Sequence, residues 1–331
     1  MIARRSFLQS AAAMATAAAA GVPLPVIRPA AAAAPIATDQ APGFYRLAVG
    51  DIQVTALNDG VLTLPADILS APTDIPKAEL LEDAFLPADA IPTSVNGYLV
   101  NLGDRLALID TGAAGGMGEG LGLLASNLAA AGIDPADVDD ILMTHLHPDH
   151  ANGLLTVDKE AAFPNATVHV AEAEAGFWRD DGMMSRAPAE AQPFFIAARD
   201  AIAPYDRAGR LNIIASPGEI LPGVSAVAAP GHTPGHTLFM LSSGSDQLLV
   251  WGDIVHVAAI QFPRPDATIA FDTDQAQAAQ SRAKVMDQAA TDRTLVAGMH
   301  LGFPGIGHVA RAPGGASEGY AFVPVVWTPN L

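Results

Sequence analysis

Between positions 144 and 150 the chain reads Thr-His-Leu-His-Pro-Asp-His, and this run constrains the fold more than any other feature. Ile141–Thr144 reads as a short buried strand, so the cluster starts where that strand ends. Side chains alternate across an extended segment, so His145 and His147 point to the same side and can reach one metal ion. Pro148 prevents simple continuation of the strand. The chain must bend there, and Asp149 and His150 can then face a second ion close to the first. Packing does not explain four potential ligands within six residues; metal binding does.

Two ions need more ligands than these. The chain has no cysteine, so the rest must be His, Asp or Glu. They occur at the ends of apolar runs. His232 lies in Gly231-His232-Thr233-Pro234-Gly235-His236, Asp253 follows Leu249-Val250-Trp251-Gly252, and His300 follows the strand-like Leu295–Ala297. His169 falls in the middle of a strand and His308 in a Gly-rich tail, so both read as structural. His236 is expected to hydrogen-bond backbone near the ligand loop.

The coarse pattern is mixed α/β. Tyr45, Leu47 and Val49 alternate, Gly50-Asp51 turns the chain, and Ile52–Leu57 returns, with Asn58-Asp59-Gly60 read as the end of that hairpin. Leu64–Pro92 reads as a long loop with one helical turn. A second hairpin pairs Ser94–Asn101 with Leu106–Asp110. The Gly-rich Gly112–Gly122 leads into a helix stopped by Gly132. Thr167–Ala171, Asn212–Ala215, Val224–Ala228, Thr237–Ser242 and Leu248–Trp251 read as strands, and Glu172–Arg207 and Asp274–Ala290 as helical. Two strand-rich halves, each with helices, suggest two packed sheets with helices outside.

The order His-x-His-x-Asp-His, Gly-His-Thr-Pro-Gly-His, Gly-Asp, His resembles the metallo-β-lactamase superfamily over Phe44 to His300. That resemblance implies an α/β chain folded as an αββα four-layer sandwich. It implies one divalent ion on His145, His147 and His232, a second on Asp149, His150 and His300, and Asp253 bridging them. Nitrogen and carboxylate ligands suit Zn²⁺, with Mn²⁺, Co²⁺ or Fe²⁺ also fitting. Asp149 would serve both as ligand and as orienter of the attacking hydroxide. Asp110, in Leu108-Ile109-Asp110-Thr111-Gly112, matches the family's other strand-end acid, which would support a ligating imidazole. A plain turn aspartate before glycine is equally compatible.

Within the superfamily, Thr93–Val100, Asp110–Gly115 and Phe303–His308 resemble the methyl parathion hydrolase group. The resemblance implies an exported, dimeric hydrolase of aryl esters, lactones or organophosphate triesters. Class B3 β-lactamases lack the bridging aspartate, so β-lactam hydrolysis ranks lower. A catalytically retired metal- or partner-binding protein ranks lower still, because all seven ligand positions are filled. Met117, Trp178, Phe195 and His256 are the expected substrate contacts, with Trp178 and Phe195 equally compatible with the core.

The formal charge of −18 over 331 residues argues against a nucleic-acid partner and for a small neutral substrate. Arg4-Arg5, the Ala-rich run to Ala20 and small residues near Ala30–Ala34 read as a twin-arginine export signal over residues 1–34, with the hydrolase domain over 35–331. Pro23, Pro25 and Pro29 break the apolar stretch before it could span a bilayer, so no membrane anchor and a periplasmic or secreted location are expected.

Overall fold

Apolar residues at period two build two sheets whose inner faces meet. The computed structural model describes residues 36–38, 40–71, 77–87, 89–312 and 319–328, and the expected export signal lies outside them. Contacts divide the chain into Met1–Ala41 and Pro42–Leu331. All elements named below belong to the second unit.

The chain forms β1 (Phe44–Val49), β2 (Ile52–Leu64), the two-residue β3 (Leu69–Ser70), β4 (Ile91–Asn101), β5 (Leu106–Ile109), β6 (Asp140–Leu142), β7 (Thr167–Ala171) and β8 (Leu211–Ile214). Without β3 these make one sheet, ordered β1-β2-β4-β5-β6-β7-β8. Then come β9 (Gly218–Leu221), β10 (Val224–Ala228), β11 (Thr237–Ser243), β12 (Asp246–Val250), β13 (Thr268–Ile269), β14 (Leu295–Ala297), β15 (Ile306–Arg311) and β16 (Tyr320–Pro324). The second sheet runs β16-β15-β14-β12-β11-β10-β9, while β13 pairs with β3. The helices are α1 (Lys77–Asp83), α2 (Leu124–Ala130), α3 (Pro148–Ala151), α4 (Glu172–Arg179), α5 (Asp181–Arg186), α6 (Gln192–Arg207), α7 (Ala258–Gln261) and α8 (Gln275–Asp292).

Alternation along the strands sorts side chains into layers. Val54, Tyr98, Val100, Ala107 and Ile109 of the first sheet meet Phe239, Leu241, Leu248 and Val250 of the second. Their neighbours Leu99 and Leu108 point the other way, onto Leu128 of α2 and Phe195 and Ile202 of α6. Likewise Leu238, Leu249 and Val296 face away from the first sheet and pack on Met286 and Ala289 of α8. The result is the expected helix–sheet–sheet–helix sandwich. Each fully buried large apolar side chain contributes about 1.5–3 kcal/mol, so these three interfaces dominate its stability.

Strand direction sets where the site must lie. β5, β6, β7 and β8 are mutually parallel. β12 runs parallel to β14, and two antiparallel steps make β10 point the same way. Asp110 and His145 therefore leave carboxyl ends of the first sheet, and His232, Asp253 and His300 leave carboxyl ends of the second.

Two readings of the sequence need correction. Asn58-Asp59-Gly60 does not close a hairpin; β2 runs through it with a register shift between Asn58 and Gly60. The cause lies in the Gly-rich segment. Asp59 turns its buried carboxylate to accept the backbone N–H groups of Ala113 (2.9 Å), Gly122 (3.2 Å) and Leu124 (2.9 Å). At Gly60 (φ 129°) a Cβ would lie 1.9 Å from the carbonyl oxygen of Gly120. The described residues between 64 and 92 are also more regular than expected, with β3, α1 and the start of β4 closing a small core of Leu69, Leu81, Ile91 and Ile260. Sequence reading also passed over β9, β15 and β16. Asp59→Ala should cost about 3 kcal/mol, since it leaves three backbone donors without their acceptor; urea denaturation measures this, and a loss below about 1 kcal/mol would refute the clamp.

Candidate metal centre

The bend after β6 forms as Pro148 suggests. His147 is extended (φ −65°, ψ 153°) and Pro148 opens α3, whose first turn carries Asp149 and His150. Two antiparallel-paired residues of β4 and the loop after β14 bring in the last ligand. Tyr98 donates its hydroxyl to the carbonyl oxygen of Gly298 (2.9 Å), and Asn96 donates to that of Leu301 (2.8 Å), which fixes the loop carrying His300.

Seven side chains converge. His147 Nδ1 lies 3.0 Å from His145 Nε2 and 3.0 Å from His232 Nε2. Asp253 Oδ2 lies 3.6 Å from His145 Nε2 and 3.2 Å from His232 Nε2. Beside this group, Asp149 Oδ2 is 3.5 Å from His150 Nε2 and 3.4 Å from His300 Nε2. Asp253 reaches this second group too, 3.3 Å from His150 and 3.2 Å from His300. It therefore stands between the two groups.

The donor set fits a pair of divalent cations. Four ligands around one ion at about 2.0–2.2 Å lie about 3.3–3.6 Å from one another, close to the separations found here. Proton sharing does not account for them. Three imidazole nitrogens meet at His147, and His150 Nε2 and Asp253 Oδ1 are buried with no hydrogen-bond partner. Burial, aided by His150 for His145 and by His232 for His147, holds both imidazoles well below their ordinary pKa. Burial opposes ionisation of Asp149 and Asp253, but His150 and His300 outweigh it and keep both carboxyls well below the usual range. Burial pushes His150, His232 and His300 down, but Asp253 and the carboxylates beside them outweigh it and raise all three. Since neutral imidazoles and ionised carboxylates are the forms that ligate, cations bound here would displace those protons.

The far nitrogen of several imidazoles is held as well. Asp110 sits 2.7 Å from His150 Nδ1 and also accepts the Thr144 backbone N–H (2.8 Å) and hydroxyl (2.6 Å). It does so from a left-handed backbone, φ 57°. Asp272 lies 2.9 Å from His232 Nδ1, and the Ser94 carbonyl 2.9 Å from His300 Nδ1. Such partners fix ring orientation and ligand basicity. Sequence reading missed Asp272, and with it Arg282, whose buried guanidinium lies 3.8 Å from Asp272 and donates to the Ile254 carbonyl (2.6 Å). Nothing in the order of residues marks either one.

A pocket opens above Asp149, Asp253 and His300, walled by Leu62, Leu64, Met117, Phe194 and Phe271. His256 lines it too, stacked on His300 at 5.1 Å with Nε2 3.1 Å from Asp253 Oδ2. The structure thus places Met117 and His256 at the pocket. It does not place Trp178 and Phe195 there. Both are 3% exposed and packed on each other in the core beneath α6, and the neighbouring Phe194 faces the pocket instead. His236 lies behind the site, its Nδ1 3.1 Å from the Ala229 carbonyl and its Nε2 accepting the Asp253 backbone N–H at 3.0 Å.

Known proteins share this fold. The hydrolase AbOPH of the beta lactamase superfamily superposes with a TM-score of 0.81 at 38% identity, covering 88% of this chain and all of that one. AidC, a dizinc quorum-quenching lactonase in complex with a product N-hexnoyl-L-homoserine, gives 0.78 at 28% identity over 86% of this chain and 98% of its own. An N-acyl homoserine lactonase of Bacillus thuringiensis is 32% identical over 128 residues, which is 37% of this chain and 41% of that relative's length. The profile of the Metallo-beta-lactamase superfamily matches residues 90–300. With well over half its length matched, and its strand-end ligands gathered as the geometry above describes, the chain belongs to the metallo-β-lactamase superfamily.

Proposed function

We propose that this chain hydrolyses neutral esters, lactones first, with aryl esters and organophosphate triesters as slower substrates. The pocket carries the reading. Its wall above the cation ligands is aliphatic and aromatic, and no Lys or Arg lines it among the described residues. A neutral ester with an apolar substituent gains from burial there. A β-lactam antibiotic would bring a carboxylate against that wall with no Lys or Arg to pair it, which is costly. The similarity to lactonases supports the same order.

His145, His147 and His232 would hold one cation, Asp149, His150 and His300 the other, and Asp253 both. The pair would supply a water acidified towards a pKa of about 7 and a Lewis acid for the ester carbonyl. The chain's own groups do the rest. Asp149 is the ligand carboxylate nearest solvent, with 12% of its side chain exposed, and it is placed to accept a proton from water at Oδ. His256 borders the space where the ester would lie.

The test is a panel of dihydrocoumarin, 4-nitrophenyl acetate, methyl paraoxon and nitrocefin on protein of measured zinc content. The lactone should be cleaved with the highest kcat/KM. Nitrocefin turnover equal to the lactone rate would refute the ranking. Export and a homodimeric state belong to the same proposal, checked by cell fractionation and by solution mass measurement.

A further inference from the structure

Glu174 lies on α4 and does not line the pocket, and its four hydrogen bonds go to groups other than the ligand side chains. It is nevertheless 1% exposed and accepts four hydrogen bonds. Their distribution is informative. Oε1 takes the backbone N–H of Leu146 (2.9 Å) and the indole N–H of Trp178 (2.6 Å). Oε2 takes the hydroxyl of Thr233 (2.6 Å) and the backbone N–H of Gly235 (3.1 Å).

Leu146 is the residue between His145 and His147, and Thr233 directly follows His232. Oε1 therefore holds the ligand loop of the first sheet and Oε2 that of the second. Gly235 leaves no slack between them, since a Cβ there would lie 2.1 Å from the Glu174 backbone nitrogen. The indole held by Oε1 also meets the His147 ring edge-on at 5.5 Å. Among its hydrogen bonds the carboxylate accepts none from His150 or His300 or from the Asp149 backbone. Their support comes from Asp110 and the Ser94 carbonyl.

We propose that Glu174 is a positioning residue for one cation only, setting the spacing of His145, His147 and His232 by bridging the two loops that carry them. The inference rests on the two-cation reading above. A carboxylate is required because all four partners are donors. A glutamine of the same shape offers one acceptor oxygen and one amide, so its NH₂ must face the N–H pair on one side or the N–H and O–H pair on the other.

In Glu174→Gln, affinity for the ion at His145, His147 and His232 should fall about ten- to hundredfold, the range seen when groups behind metal ligands are removed. The ion at Asp149, His150 and His300 should keep its wild-type affinity. Zinc titration of the full chain against a chromophoric chelator gives the two affinities, and anomalous diffraction from zinc-loaded crystals locates the weakened site. Two ions held as tightly as in the wild type would overturn the inference. So would equal weakening of both, which would indicate loss of negative charge and not of positioning. If Glu174→Gln fails to fold, Thr233→Val decides the matter. It removes one bond at Oε2 and should weaken the same ion by a smaller factor, whereas unchanged affinity would overturn the claim. A wild type that binds two zinc ions but cleaves no ester would sink the hydrolase reading and leave this one standing.

Discussion

Asp253→Ala should abolish ester hydrolysis, lowering kcat at least about a thousandfold. The carboxylate lies within 3.6 Å of ring nitrogens on His145, His150, His232, His256 and His300. Without it, the set of His145, His147 and His232 would have no carboxylate and the other only Asp149, and metal analysis should show fewer than two zinc ions per chain. Removing the metal from the wild type with a strong chelator should cause a comparable loss, reversed by adding zinc. Residual activity above a tenth of wild type in fully loaded Asp253→Ala would show that the pair does not depend on a shared ligand. The variant should remain folded, because the sandwich core contains none of these groups.

The second large effect concerns stability. Phe195→Ala should destabilise the fold by about 3–5 kcal/mol, the usual cost of truncating a buried aromatic. The ring is 3% exposed and meets Trp178 at 4.7 Å and Phe177 at 5.1 Å. KM for the lactone should change little in the folded enzyme, since Phe195 does not line the pocket. Phe194→Ala should do the opposite. It should raise KM several-fold and leave the denaturation midpoint close to wild type. Chemical denaturation and steady-state kinetics on the two variants separate the roles, and a larger stability loss for Phe194→Ala would reverse the assignment.

These adjacent phenylalanines show how far the residue order can be read. A helix turns by about 100° per residue, so composition alone cannot say which of two neighbours faces the pocket, and the choice fell on the wrong one. Ligands were easier, because His145, His147, Asp149 and His150 are crowded into one bend and His232, Asp253 and His300 each end an apolar run. Their spacing reflects local geometry. Glu174, Asp272 and Arg282 have no such mark. Each is a single charged residue on or beside a helix, and only the tertiary fold brings it behind the site. Asp59 misled for a related reason. Asn-Asp-Gly has turn composition, but the demand for an acceptor arises more than fifty residues later, at Ala113, Gly122 and Leu124. Strand alternation carried the four-layer architecture because it is a local property repeated along almost every strand.

On the proposed assignment each cation would draw ligands from both sheets: one from positions 145, 147 and 232, the other from 149, 150 and 300. A nascent chain emerging from the ribosome therefore has no complete binding place for the first ion until position 232 has been made, and none for the second until position 300. Metal capture would then be a late event in biosynthesis. Two separately expressed fragments cut between the sheets should each be unable to retain zinc until they are mixed.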